Sequence, residues 1–256
     1  MTRRVSIFNA SFDPLTRDET VQAIFGAIDA GRRGWLCTVN VSTLMMMRED
    51  AWLQGFVDRA ALVVADGQPL VWCVSLFGGR LPERVTGIDL IDALCARATA
   101  ESRGVYCLGA SAPLLQSTLA RLRARHPGLR IDGADGYFGA DTAAARADQI
   151  RASGAQVLLV GMGCPRQEAF IDAHWERLGV GMAIGVGGSF DVLGGARYRA
   201  HRWIGRLGFE WLVRLLQEPR RLARRYLVTN TGFCLLIGKV LLARATGMAT
   251  GRGPRA

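Results

Sequence analysis

Short apolar runs alternate with longer amphipathic segments along most of the chain. The apolar runs lack polar alternation, which is typical of strands buried on both faces of a parallel sheet. The order of strand and helix patterns therefore predicts an α/β fold with a Rossmann-like, open, mostly parallel sheet and flanking helices. The predicted strands are "WLCTV" (35–39), "ALVVA" (61–65), "GVYCLGA" (104–110), "LRIDGA" (129–134), "AQVLLVGMG" (155–163) and "GMAIGVGG" (181–188).

The longer segments have apolar residues three to four positions apart, as amphipathic helices do. Helices are predicted over "STLMMMREDAWLQGFVDR" (42–59), "SAPLLQSTLARLRARHPG" (111–128) and "PRQEAFIDAHWERLG" (165–179). A further single helix is predicted over "FEWLVRLLQEPRRLARRY" (209–226), where Arg214, Arg221 and Arg225 would share one face.

Positive charge is concentrated at the C-terminal end of the chain. Residues 1–196 hold 19 Arg against 20 acidic residues, whereas residues 197–256 hold 13 basic and 2 acidic residues. This asymmetry and the strand pattern predict a Rossmann-like domain at 1–196 and a basic, amphipathic helical appendage at 197–256. The late apolar run "FCLLIGKVLLA" (233–243) is about half the length that spans a bilayer, so we expect no transmembrane helix there. A helix lying on a membrane surface is compatible with the run.

Six cysteines form neither a CxxC motif nor a cluster with histidine, and we interpret them as reduced core residues of a cytosolic protein. No HExxH or DxD motif is present, so neither a metal site nor a bound cofactor is predicted.

In open parallel sheets the ligand lies beyond the carboxyl ends of the strands, so polar residues there are site candidates. Thr38 and Asn40 follow one strand, with a helix cap at Ser42 or Thr43 as the alternative reason for polar residues at this point. Asp66 follows the next strand, where it could cap the following helix or act as a general base.

Three later stretches also contain polar or glycine residues that are candidates for the site. Arg84, in "RVTGIDL", could hold a phosphate or pair with Asp89. In "VGMGCPRQE", a Gly-rich turn precedes a helix whose free N–H groups favour anions, and Gln167 with Glu168 could serve as helix caps instead. The stretch "GVGGSFDVLGG" adds Gly187 and Asp191 as candidate substrate-binding residues.

The order of these motifs is specific: T-x-N, A-D-G, R-x-x-G-x-D, G-x-G-x-P-x-Q-E and G-V-G-G-x-F-D-x-x-x-G, followed by the arginine-rich segment. This series resembles the WecG/TagA/CpsF glycosyltransferase family, glycosyltransferase family 26, from about residue 5 to residue 227. The resemblance implies transfer of a hexose or N-acetylhexosamine-type sugar, with inversion, from a UDP-sugar to a polyprenyl-diphosphate-linked sugar. The pathways implied are those of exopolysaccharide, teichoic acid or common antigen.

The resemblance also implies roles and a location. Asp66 matches the family's proposed general base, and Thr38, Asn40, Arg84 and Gln167 match pocket residues. The family's C-terminal appendage completes the active site and associates with the anionic inner face of the cytoplasmic membrane; the arginines implicated match Arg214, Arg221 and Arg224. Self-association through the apolar appendage is left open.

Two other classes compete with this interpretation. A nucleic-acid-binding protein could use the arginine run, but its arginines are mixed with tryptophan and leucine and no nucleic-acid motif is present, so we expect no nucleic-acid partner. A nucleotide-dependent oxidoreductase could use the fold, but the expected first strand, "VSIFNASFDP", lacks the GxGxxG pattern.

Overall fold

The computed structural model describes residues 3–199 and 201–246, and within these residues it confirms the predicted α/β sheet. Six parallel strands lie in the order β4-β3-β8-β7-β5-β6. They are β3 (Gly34–Val39), β4 (Leu62–Ala65), β5 (Gly104–Gly109), β6 (Arg130–Ala134), β7 (Val157–Gly161) and β8 (Met182–Gly185).

Helices cover both faces of this sheet. The helices are α1 (Arg17–Asp29), α2 (Val41–Glu49), α3 (Ala51–Asp58), α4 (Gln68–Leu76), α5 (Gly87–Ala100), α6 (Ala112–Arg125), α7 (Ala140–Ala152), α8 (Arg166–Leu178), α9 (Ser189–Leu193), α10 (Arg202–Arg206), α11 (Glu210–Gln217) and α12 (Pro219–Ala245). One core contains α2, α3, α4, α7 and α8, and the other contains α1, α5, α6 and α9. Because side chains alternate along a strand, Trp35 and Cys37 enter the first core while Leu36 enters the second.

The N-terminal segment "VSIFNASFDP" does not form the first strand of the main sheet. It folds into a separate antiparallel hairpin of β1 (Val5–Ile7) and β2 (Ala10–Phe12). Phe8 in the turn has φ 51° and packs edge to face against Phe77 and Phe233. The hairpin therefore links the first core to α12.

Two segments predicted as single helices are each broken by one residue. Asp50 separates α2 from α3, because it leaves the helical conformation and its carboxylate accepts the backbone N–H groups of Trp52 and Leu53. Glu218 separates α11 from α12 with φ −138° and ψ 59°, since Pro219 disfavours helical geometry in the residue before it. Arg214 thus lies on a different helix from Arg221 and Arg225.

Helix α12 is much longer than the apolar run suggested. Its segment Leu222–Ala245 has 24 residues, and the most apolar 18-residue window of this segment has a mean hydropathy of 1.6 and is 11% buried. By length and composition the segment could therefore cross a membrane. The apolar part of α12 is thus longer than the run 233–243 alone, while the expectation of no transmembrane helix stays a prediction. One face of α12 packs on α2 and buries Leu222 and Phe233.

Candidate active site

A large cavity lies at the carboxyl ends of the parallel strands, and α11 and α12 line one side of it. Its volume is about 790 Å³, within the range of small-molecule pockets. The strand ends contribute Thr38, Asn40, Asp66, Gly67, Ala110, Gly136, Gly161 and Gly187, and the C-terminal helices contribute Glu210, Trp211, Arg214, Leu222, Arg225, Tyr226 and Asn230. The sheet therefore brings together polar residues that are distant in the sequence.

Asp66 lies at the end of β4 with its carboxylate in the cavity. Its backbone N–H donates to Val39 O at 2.8 Å, which fixes the turn. Helix α4 begins after Gly67 without a side-chain cap, so the helix-cap alternative for Asp66 is wrong. Within the described residues its carboxylate has no hydrogen-bond donor; burial raises its pKa to about 6, and the positive charge of Arg214 acts in the opposite direction.

Thr38 and Asn40 both line the cavity, and the side chain of each also makes a hydrogen bond that stabilises the fold. The Thr38 hydroxyl donates to Gly185 O at 2.8 Å across β3 and β8. Asn40 is itself the N-cap of α2: its Oδ1 accepts the backbone N–H of Thr43 at 3.0 Å. The cap predicted at Ser42 or Thr43 is therefore wrong, and capping orients the Asn40 amide at the cavity wall.

Gln167 and Glu168 are buried in the first turn of α8, and neither caps that helix. Gln167 Nε2 donates to Glu168 Oε1 at 2.8 Å, while its Oε1 accepts the backbone N–H of Gly187 at 3.0 Å. Gly187 has φ 54°, which glycine tolerates without strain. The pair therefore fixes the loop after β8.

The second carboxylate oxygen of Glu168 is buried without a hydrogen-bond partner. Burial raises the pKa of Glu168, which favours its neutral form. The sequence did not reveal that Glu168 is buried, because "RQE" at 166–168 has the composition of an ordinary first turn of a helix.

Arg84 does not pair with Asp89, which was one of the two alternatives for it. Asp89 instead pairs with Arg199 at 2.6 Å and accepts from the Thr86 hydroxyl at 2.8 Å. Arg84 forms an ion pair with Glu210 of α11 and lines the cavity.

Asp191 also lines the cavity and forms an ion pair with Arg197 at 2.9 Å. Arg197 pairs with Glu218 at 2.6 Å as well, so it connects α9 to the break between α11 and α12.

The structure divides the arginines of the C-terminal segment into two groups. Arg214 and Arg225 line the cavity, whereas Arg224 is exposed on α12 and is not among the lining residues. The side chain of Arg221 lies outside the described part of the structure. Arg225 Nε donates to Ser42 Oγ at 2.6 Å, which docks α12 against α2.

Three guanidinium groups in the cavity make no ion pair within the described residues: Arg166, Arg214 and Arg225. Arg166 Nη2 donates only to Gly136 O, at 3.2 Å. Such groups can form charge-assisted hydrogen bonds to the oxygens of a diphosphate. Arg166 and Arg225 were not selected as site residues, although Arg166 follows the Gly-rich turn directly.

The cysteines agree only in part with the prediction of buried core residues. All six are free; Cys37, Cys73, Cys95 and Cys107 are buried, Cys164 is half-buried and Cys234 is exposed on α12. Among residues 3–199 and 201–246, no group of three or more His, Cys, Asp or Glu residues is arranged to hold a metal ion.

The family model of the Glycosyl transferase WecG/TagA/CpsF family matches residues 5–247, nearly the whole chain. The chain belongs to this family. It is therefore an enzyme, a glycosyltransferase of cell-surface polysaccharide biosynthesis. Membership in the WecG/TagA/CpsF family suggests a nucleotide-sugar donor and a lipid-linked acceptor, which fit a cavity that combines free guanidinium groups with apolar walls.

Proposed function

We propose that this enzyme transfers a hexose or N-acetylhexosamine-type sugar, with inversion, from a UDP-sugar to a hydroxyl group of a polyprenyl-diphosphate-linked sugar. The observation that carries the proposal is Asp66, a carboxylate without a hydrogen-bond donor within the described residues, in a cavity whose free cations are arginines. A pKa of about 6 leaves this carboxylate mostly ionised at neutral pH, yet basic enough to accept a proton.

In the proposed reaction Asp66 removes the proton of the acceptor hydroxyl as its oxygen attacks the anomeric carbon. The new bond forms on the face opposite UDP, and the bond between the anomeric carbon and the diphosphate oxygen breaks. The electron pair leaves with the β-phosphate. Inversion follows because attack and departure occur on opposite faces of the sugar.

Negative charge that develops on the leaving diphosphate requires stabilisation. Arg214 and Arg225 enter the cavity from α11 and α12, and Arg84 enters from the loop before α5. We assign this stabilisation to these arginines, so the reaction needs no divalent cation. The family resemblance adds Arg221 to the arginines that we assign to this role.

The C-terminal segment has a second proposed role besides lining the active site. Residues 197–256 form an appendage that completes the active site and binds the anionic inner face of the cytoplasmic membrane as a peripheral protein. Arg224 points away from the cavity and is assigned to that surface, where one basic residue contributes about 1 kcal/mol. Exposed Trp203, Phe209 and Leu216 supply apolar contacts there.

The proposal can be tested by measuring UDP release from a panel of UDP-sugars with a short-chain lipid-diphosphate-sugar acceptor, with and without EDTA. Wild type should turn over one donor, only when the acceptor is present, and equally well with EDTA. Asp66→Asn should lower the rate by about a hundredfold or more. Asp132→Asn, a matched change of an exposed strand carboxylate outside the cavity, should leave the rate unchanged.

Other outcomes contradict specific parts of the proposal. Loss of turnover in EDTA that is restored by a divalent cation would contradict metal independence. An Asp66→Asn enzyme as fast as wild type would remove Asp66 as the base. Retention of configuration at the anomeric carbon of the product, observed by NMR, would contradict inversion.

A further inference from the structure

One wall of the cavity is a single face of α12. The lining residues recur every three to four positions, which places them on one side of the helix: Leu222, Arg225, Tyr226, Asn230, Phe233, Cys234 and Ile237. With a rise of 1.5 Å per residue, this wall extends about 18 Å from Arg225 to Ile237.

The polarity of this wall changes along its length. Its N-terminal part carries Arg225, with Arg214 of α11 also lining the cavity. Its C-terminal part carries only Phe233, Cys234 and Ile237, so the cationic wall becomes apolar within about three helical turns.

Helix α4 supplies further apolar residues to the cavity lining. Trp72, Cys73 and Leu76 line the same cavity, yet Trp72 is 50% and Leu76 54% exposed. We define the apolar part of the cavity lined by these three residues of α4 and by Phe233, Cys234 and Ile237 of α12 as the α4–α12 trough. The trough belongs to the same cavity as Arg214 and Arg225.

We propose that the α4–α12 trough binds the first isoprene units of the acceptor's lipid chain. The inference rests on the proposed function, in which the acceptor is a diphosphate joined to a polyprenyl chain. Arginines at one end of the wall match the diphosphate, and apolar side chains further along the same helix match a hydrocarbon attached to it. Burial of that hydrocarbon stabilises the complex roughly in proportion to the apolar area removed from water.

A bilayer surface is the competing explanation for exposed apolar residues on α4 and α12. Binding of a lipid chain in the trough and contact with a bilayer surface can be distinguished at Leu235 of α12, which is 61% exposed and does not line the cavity. Leu235 lies about 200° around the helix from both Phe233 and Ile237. A lipid chain in the trough contacts Leu76 and Ile237 but not Leu235.

The test is equilibrium binding of farnesyl diphosphate and of inorganic diphosphate, measured by calorimetry on the full chain without detergent or vesicles. Wild type should bind farnesyl diphosphate at least about thirtyfold more tightly than inorganic diphosphate. Leu76→Gln and Ile237→Gln should each lower this preference by about tenfold. Leu235→Gln is the matched control on the outer face of α12 and should keep the wild-type preference.

Equal affinity of wild type for the two diphosphates would overturn the inference, whatever the turnover assay shows. An equal loss in Leu76→Gln and Leu235→Gln would also overturn it, since both faces would then act as a general apolar surface. Because binding is measured without a donor sugar, failure of the proposed function appears separately, as absence of UDP release. Unchanged thermal unfolding of each variant excludes misfolding as the cause of a lost preference.

Discussion

Arg84 and Glu210 form an ion pair that joins the loop before α5 to the first turn of α11. The guanidinium also lies against Gly205, where an added Cβ would collide with it. The two side chains are largely shielded from water, with 16% and 23% exposed. The pair therefore docks the C-terminal helices onto the sheet and holds Arg84 at the cavity.

The Arg84–Glu210 pair should appear as an energetic coupling in the free energy of unfolding. We expect Arg84→Ala and Glu210→Ala each to destabilise the protein, because each leaves a charge partly buried without its partner. The double variant should be less destabilised than the sum of the single variants by about 1 kcal/mol, measured in a double-mutant cycle by urea unfolding. If the destabilisation of the double variant equals the sum of the two single destabilisations, Arg84 and Glu210 do not interact in solution, which would contradict the docking of α11 at this position.

The activity should depend on pH through Asp66. Its folded pKa of about 6 lies above its ordinary value, and only the ionised form can accept a proton, so kcat/KM should fall as pH decreases below about 6. Arg214 lowers this pKa, and Arg214→Gln should therefore shift the acidic limb to higher pH. Arg220→Gln, an exposed arginine outside the cavity, should leave the limb in place. An unshifted limb in Arg214→Gln would contradict the proximity of Arg214 to Asp66.

Two arginines on α12, Arg225 in the cavity and Arg220 in solvent, should differ in their effect on diphosphate binding. Arg225→Ala should weaken the affinity for UDP by roughly tenfold, because it removes a charged hydrogen-bond donor from the cavity. Arg220→Ala should leave this affinity within about twofold, since an exposed charge in water contributes little. Isothermal titration of UDP in the absence of membranes measures both. Equal losses would indicate a diffuse electrostatic effect instead of a defined site.

Glu168 should make stability decrease as pH rises. Its folded pKa is raised above the ordinary value of 4.5, so the unfolded chain ionises first and the native state loses stability from about pH 4.5 up to the folded pKa. Glu168→Gln keeps an oxygen acceptor for Gln167 and cannot ionise. The free energy of unfolding of Glu168→Gln minus that of wild type should therefore increase from pH 4 to pH 7, measured by chemical unfolding at each pH. A difference that is constant with pH would contradict the raised pKa.

The sequence determined the sheet and much of the polar rim of the cavity. Strands such as "ALVVA" are apolar on both faces, which is compatible only with burial between two layers, and this pattern is local. Thr38, Asn40 and Asp66 could be selected because parallel strands all end at the same edge of a sheet, so a position at a strand end suffices. The break at Glu218 was also encoded locally, by Pro219, but the regular spacing of arginine and leucine concealed it.

Tertiary structure alone decided which charged residues face one another. The sequence could not show that Arg84 pairs with Glu210 instead of Asp89, or that Arg225 enters the cavity while Arg224 stays in water. Helical spacing fixes which residues share a face, but the direction of that face depends on how α12 packs against α2 and the N-terminal hairpin. The raised pKa of Asp66 likewise arises from burial beneath α11 and α12, because desolvation is created by distant parts of the chain and leaves no trace in the residues around Asp66.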